Sequence, residues 1–275
     1  MANPEDPPFS CIRYLPTTEA YDRWAAIYDT DGNFLQALDT IELKTLFPQF
    51  LRSILSPRPW RIVDLGCGTG RNTTLLLATP CIEEVIALDS SRGMLEVARS
   101  RLHQALHQAG DGVSTPSKEP ARGVPRLHME VFDMLASPVP PKSAQQADGV
   151  ISTLVVEHVP LPTFFSQVSQ ILRPGGVLLL TNMHAHMGGI SQAGFVDAET
   201  GEKIRPTSYA HTITDVVTEA RRWGLEVVKA GDEDEAGIKE TKVDEIMIET
   251  LGPRSRKWVG VTCWFGGLFR KRADQ

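Results

Sequence analysis

Short, nearly unbroken apolar runs alternate with longer segments that are apolar along one stripe, and the alternation is regular through the middle of the chain. Runs at 61–65, 84–88, 127–132, 148–160 and 172–181 are rich in Val, Ile and Leu and give way to Gly, Asp, Pro or Asn. Continuous apolar runs suit strands covered on both faces, as in a parallel sheet. Helices between them, including 72–77 and one from 91 to about 108, complete an α/β pattern of the open, doubly wound kind. The pattern then predicts a hairpin at 194–205 around Glu199-Thr200-Gly201 and a helix at 212–223. A sixth strand at 225–229, an inserted helix at 234–250 and a last strand ending near Phe265 follow. Upstream, Tyr21, Trp24 and Tyr28 recur at helical spacing within 20–29.

At 275 residues, one α/β domain accommodates the whole pattern. Its parts are a loose N-terminus at 1–10, a helical lid at 11–55, a ligand-binding core at 60–181, a covering insertion at 182–211 and C-terminal helices and strands at 212–275. Residues 110–126, rich in Pro, Gly and Ser, read as a surface insertion.

The first strand breaks into Val63-Asp64-Leu65-Gly66-Cys67-Gly68-Thr69-Gly70 before a helix. Glycines without Cβ let the backbone turn sharply and lie against a ligand, and the helix start favours an anionic one. A dinucleotide fingerprint needs G-x-G-x-x-G, but Arg71 holds the last position, which counts against a nicotinamide oxidoreductase. Asp89 ends the second strand at the edge where open parallel sheets bind ligands, and one carboxylate there can accept both hydroxyls of a ribose. It could instead cap the helix that follows, although Ser90 is better placed to do so.

The glycine motif resembles the first motif of class I S-adenosylmethionine-dependent methyltransferases, and Asp89, Asp133, the strand leading to Thr153 and the Pro174-Gly175-Gly176 turn follow in that family's order. The resemblance implies a Rossmann-like, seven-stranded sheet with its last strand antiparallel. It implies S-adenosyl-L-methionine as cofactor and S-adenosyl-L-homocysteine as product. The cofactor's methionine and ribose end would lie against Tyr28, Asp64, Gly66, Cys67, Gly68 and Asn72. Asp89 and Ser90 would hold the ribose, Met94, Asp133 and Met134 the adenine, and Thr153 and Leu154 the floor beneath the sulfonium. The segment 30–36 resembles fungal methyltransferases acting on secondary metabolites.

His158 is the candidate general base, since a neutral imidazole can take a proton from a hydroxyl, thiol or amide. His184 and Tyr209 are further candidates, on loops expected to face the same edge as His186 and His211. A metal site is not expected, because His184-x-His186 lacks a carboxylate or cysteine at ligand spacing. Four scattered cysteines, a net charge of −6 and no signal peptide or long apolar span point to a cytosolic protein without nucleic-acid or membrane partners. The expected activity is methyl transfer to N, O or S of a small molecule in secondary metabolism. The alternatives are a methyltransferase-like catalyst of a pericyclic or dehydration reaction, and a non-catalytic partner that binds the cofactor. Oligomeric state and acceptor identity are not legible in the residues.

Overall fold

In the computed structural model, which describes residues 12–109, 125–229 and 237–273, β1 (Ile12–Leu15), α1 (Thr17–Trp24) and α2 (Phe34–Ser53) precede the central sheet. Strands and helices then alternate as β2 (Trp60–Leu65), α3 (Arg71–Leu77), β3 (Ile82–Asp89), α4 (Arg92–Ala109), β4 (Arg126–Val131), β5 (Ala147–Thr153), α5 (Leu161–Ile171) and β6 (Leu172–Met183). There follow α6 (Ala185–Ile190), β7 (Phe195–Val196), β8 (Lys203–Pro206), α7 (Ile213–Arg222), β9 (Leu225–Val227), β10 (Ile238–Lys242), α8 (Ile248–Leu251) and β11 (Thr262–Lys271).

The sheet order is β4-β3-β2-β5-β6-β11, parallel from β4 to β6, with β11 antiparallel to β6. The chain builds outward from β2 to β4 on one side and from β5 to β6 on the other. The crevice at the carboxyl ends of β2 and β5 is therefore the switch point where such sheets take their ligands. One face of the sheet packs under Leu38, Phe50 and Leu76 of α2 and α3, the other under Phe164 and Phe165 of α5 and Val216 of α7, all fully or almost fully buried. Each such side chain contributes about 1.5–3 kcal/mol. The ends of these helices are fixed locally. Asn33 accepts the Leu35 N–H at the start of α2, and Thr212 and Asp215 form a capping box on α7.

Three expectations change. The apolar run 148–160 is not one strand: β5 ends at Thr153, Leu154 adopts φ of 58°, and a 3-10 turn spans Val156–His158. The sixth strand position is filled in two pieces. The outer edge of β11 pairs first with β9 and the Val228 N–H, then after an excursion with β10, so the expected sixth strand resumes where a helix was read. Of the proposed helix 234–250, residues 234–236 lie outside the described residues and only Ile248–Leu251 is α-helical. An unpaired strand edge next to β-capable Ile238 and Thr241 outweighs their place in an acidic, helix-like sequence.

Residues 194–205 contain the β7–β8 hairpin, whose turn is held by Asp197 accepting the Glu199 and Thr200 N–H groups. β1 joins it in parallel along β8. The segments 1–10 and 110–124 lie outside the described residues. Among the described residues no helix is long and apolar enough to cross a membrane.

Candidate active site

Two adjoining cavities open at the carboxyl edge of the parallel strands, sharing Tyr21, Tyr28 and Leu154 as their common wall. The first spans about 900 Å³ of empty space, including its open mouth, and is lined at its base by the glycine loop after β2. Gly66 stands at φ 75° with the place of a Cβ only 2.3 Å from Val155 Cγ2, so protein packing explains this glycine. Gly68, at φ 54°, differs: a Cβ there would meet no protein atom within 4 Å and would project into open space beside the cavity. A bare backbone facing empty space is what a closely approaching ligand needs. Gly66→Ala is expected to lower the melting temperature by about 3–8 °C, from about 1–2 kcal/mol of left-handed backbone cost plus the Val155 clash, measurable by a thermal melt.

Asp89, at the end of β3, lines this cavity with its carboxylate held in place. Oδ2 accepts the Gly68 N–H and Oδ1 the Ser91 N–H, both at 2.8 Å. Burial lifts its pKa to about 6 against these bonds, which pull it down. Ser91 rather than Ser90 caps α4, since its Oγ accepts the Met94 N–H at 3.0 Å. Ser90 is left facing the cavity, beside Met94, Asp133 and Met134, with Phe132 and Leu135 extending the apolar side. Asp133 Oδ1 also closes a turn by accepting the Leu135 N–H.

Three of the expected cofactor residues do not line the cavity. Asp64 is buried behind the loop, where it accepts the Thr73 hydroxyl at 2.6 Å. The Cys67 thiol packs with Ala87 and Leu95, and burial pushes its pKa up. The Asn72 amide is spent on Thr153 Oγ1 at 2.8 Å, which fixes the Thr153 side chain on the cavity floor. Strand-to-helix loops use such inward side chains as bracing, and sequence proximity alone does not separate bracing from contact.

Burial also lifts Asp64 to about 7. A carboxyl with a folded-state pKa above its unfolded value of ~3.9 holds its proton more tightly when folded. Its contribution to stability is complete below that unfolded value and is lost as pH rises through 6 to 7. The ligand-free protein is therefore expected to melt a few degrees higher at about pH 6 than at about pH 7.5, from roughly 1–2 kcal/mol. Asp64→Asn should flatten most of that difference in paired thermal melts.

The lid is pinned at three points. Asp22 Oδ1 accepts the Ser91 hydroxyl and the Gly93 N–H at the start of α4. Asp29 accepts the Thr69 hydroxyl at 2.9 Å and pairs with Arg101, which ties the turn after α1 to the glycine loop. Asp39 of α2, fully buried, joins Arg71 at 2.5 Å to Thr181 and Trp264. Tyr21 and Tyr28 are thereby held over the cavities, and burial pushes both phenols well above their usual pKa, so they stay protonated. Trp24 turns away from the first cavity: its ring stacks on Phe195 at 5.0 Å and its N–H donates to Asp31.

His158 is buried in the wall of the first cavity with both ring nitrogens engaged. Nδ1 lies 2.6 Å from the Thr207 carbonyl and must donate to it, which leaves Nε2 facing Tyr21 Oη at 2.8 Å and Glu157 Oε1 at 3.3 Å. Nε2 is engaged in either charge state, accepting the Tyr21 O–H as a neutral ring or donating toward Glu157 Oε1 as a cation, so no free lone pair remains for a substrate. The structure separates the other two candidates from this group. His184 caps α6 through Nδ1, faces Glu240 through Nε2 at 3.2 Å and lines neither cavity. Tyr209 stacks on His211 at 5.2 Å and borders a separate outer groove with Pro160 and Leu161. The sequence marks Tyr21 only by its helical spacing to Trp24 and Tyr28, and nothing in it marks Arg254 or Lys257 as site residues. Both cations prove to line the second cavity.

A family described as a methyltransferase domain matches residues 63–180. A protein of Emericella nidulans named only as a methyltransferase is 47% identical over 272 residues, covering 93% of this chain and 91% of that one. A trans-aconitate 2-methyltransferase of Methylobacterium radiotolerans is 28% identical over 60% of each chain. Among solved structures, a S-adenosylmethionine-dependent methyltransferase from Mesorhizobium loti superposes with a TM-score of 0.51 at 21% identity, covering 82% of this chain and 97% of that one. The S-adenosylhomocysteine complex of DhpI superposes with a TM-score of 0.57 at 16% identity, covering 93% and 95%. With the glycine loop, the strand-end carboxylates and the antiparallel last strand in place, the chain belongs to the class I S-adenosylmethionine-dependent methyltransferases.

Proposed function

We propose that this protein transfers the methyl group of S-adenosylmethionine to a nitrogen, oxygen or sulfur atom of a small molecule, in the assembly of a secondary metabolite. The observation that carries the cofactor part is the first cavity: Gly68 presents bare backbone to empty space, and Asp89 stands next to it with its carboxylate fixed by two N–H bonds. In this reading Asp89 accepts the ribose hydroxyls. Asp133 takes the adenine amine, with Met134 and Met94 against the ring, and Thr153 and Leu154 lie beneath the reacting end. Tyr28 closes the methionine end from the lid.

When bound, S-adenosylmethionine supplies a methyl group already activated on a sulfonium. The protein's part is then to exclude water and to align the acceptor, which is worth up to ~7–11 kcal/mol in favourable intramolecular cases. The second cavity supports a small acceptor. Beyond the shared wall it is lined by Phe34, Leu35, Met183 and Met187 with a few polar groups, the make-up usual for small-molecule sites. The resemblance of 30–36 to fungal enzymes of secondary metabolism supports the proposed setting.

The test is calorimetric titration of the intact chain with S-adenosylmethionine and S-adenosylhomocysteine, followed by a labelled-methyl screen of small acceptors. Micromolar binding and label transfer are expected. Folded protein that binds neither compound would refute the assignment, and binding without transfer to any acceptor would favour the non-methylating reading.

A further inference from the structure

The second cavity carries chemistry that the methyl-transfer reading does not use. Glu157 lines it and is almost fully buried. One oxygen, Oε1, faces His158, while the other, Oε2, is buried with no hydrogen-bond partner. A buried carboxylate oxygen left unpaired costs several kcal/mol unless something donates to it. The backbone of Glu157 is fixed on both sides: its N–H meets Asn182 Oδ1 and its carbonyl accepts the Tyr209 N–H at 2.7 Å. The residue is thus anchored at the wall of the cavity it lines, which is where a donor for Oε2 can sit.

At the other end of the same cavity, Arg254 and Lys257 stand on the 3-10 turn Pro253–Trp258. Among the described residues neither is in an ion pair. Arg254 donates to the Asp31 carbonyl of the lid turn, and the Lys257 ammonium lies 5.5 Å from the Trp258 ring. The walls between the two ends are apolar, including Phe34, Leu35, Met183 and Met187. One end therefore lacks a donor, the other presents two exposed cations, and the middle is apolar.

We infer that the acceptor is a small organic acid whose hydroxyl or amine donates to Glu157 Oε2 while its carboxylate or other anionic group meets Arg254 and Lys257. The inference rests on the methyltransferase reading. It makes the Glu157 carboxylate, rather than the His158 imidazole, the group that receives the acceptor's proton. As the nucleophile's bond to the methyl carbon forms and the carbon–sulfur bond breaks, the O–H or N–H proton ends on Glu157 Oε2.

The test uses the intact protein saturated with S-adenosylhomocysteine and four probes in calorimetry: 4-hydroxybenzoate, 4-aminobenzoate, benzoate and methyl 4-hydroxybenzoate. The hydroxy or amino acid is expected to bind at least about tenfold more tightly than benzoate, which lacks the donor, and than the ester, which lacks the anion. The first two probes tell hydroxyl from amine. Glu157→Gln should erase the advantage over benzoate, and Arg254→Ala with Lys257→Ala the advantage over the ester, with S-adenosylhomocysteine affinity retained in both. Equal affinities, binding of none of the probes, or a Glu157→Gln variant that still discriminates would overturn the inference. Wild type that fails to bind S-adenosylhomocysteine would instead remove the methyltransferase reading beneath it.

Discussion

Asp89→Ala is expected to weaken binding of S-adenosylmethionine and S-adenosylhomocysteine by about 100-fold or more. Two ribose hydroxyls donating to one ionised carboxylate are worth roughly 1.5–3 kcal/mol each, and tenfold in affinity corresponds to about 1.4 kcal/mol. The loss is not confined to ligand contacts, because the same carboxylate holds the Gly68 N–H and so sets the curvature of the loop. The ligand-free protein should suffer far less. Burial has already raised this carboxyl to about 6, so removing it relieves a desolvation cost while it deletes two backbone hydrogen bonds. A melting temperature within a few degrees of wild type, beside a calorimetric Kd raised at least about 100-fold, is the expected pair of results. An unchanged Kd would remove Asp89 from the cofactor site.

The part of the site that was legible in the sequence is the part made of near neighbours. Gly66 and Gly68 in one loop, and Asp89 and Asp133 at consecutive strand ends, inherit their positions from the sheet, because strand ends in an open parallel sheet converge on one edge. The order of motifs therefore carries three-dimensional information. Side-chain direction is not carried in the same way. His184 lies one residue past β6, but successive side chains alternate across a strand, and it is Met183 that faces the cavity. Asp64 in β2 and Asn72 in α3 flank the right loop and point inward to brace it.

The second cavity was hidden for a different reason. It is assembled from the lid turn near Gly32, the turn after β5, the region around α6 and the 3-10 turn at Arg254, and these are brought together only by long-range contacts. The Arg254 bond to the Asp31 carbonyl joins residues more than two hundred positions apart. A cluster of basic residues in the sequence has no way to announce such a partner. The interrupted sixth strand is a similar case, since pairing along β11 is decided by an available edge and not by the local pattern of 238–242.

Asp39→Ala should be the most destabilising single change in the lid, at about 3–5 kcal/mol and on the order of 10 °C in melting temperature. Asp39 is fully buried and its two oxygens serve three donors from separate elements: Arg71 of α3, Thr181 of β6 and Trp264 of β11. Alanine leaves a guanidinium with its main counter-charge gone and two buried donors unpaired, and each orphaned group costs its own desolvation. An ion pair such as Arg126 with Glu83, open to water on both sides, has no comparable consequence, because solvent replaces the lost partner. The same substitution should reach the cofactor site, because Arg71 follows the glycine loop directly and also donates to Thr153 Oγ1 on the cavity floor. A double-mutant cycle with Arg71→Ala separates the contributions. If the two residues act as one buried pair, the double variant melts well above the sum of the single losses, since no unpaired charge remains. Strict additivity would mean that Asp39 acts through Thr181 and Trp264 alone, and that the lid's hold on the glycine loop runs through Asp29 and Thr69 instead.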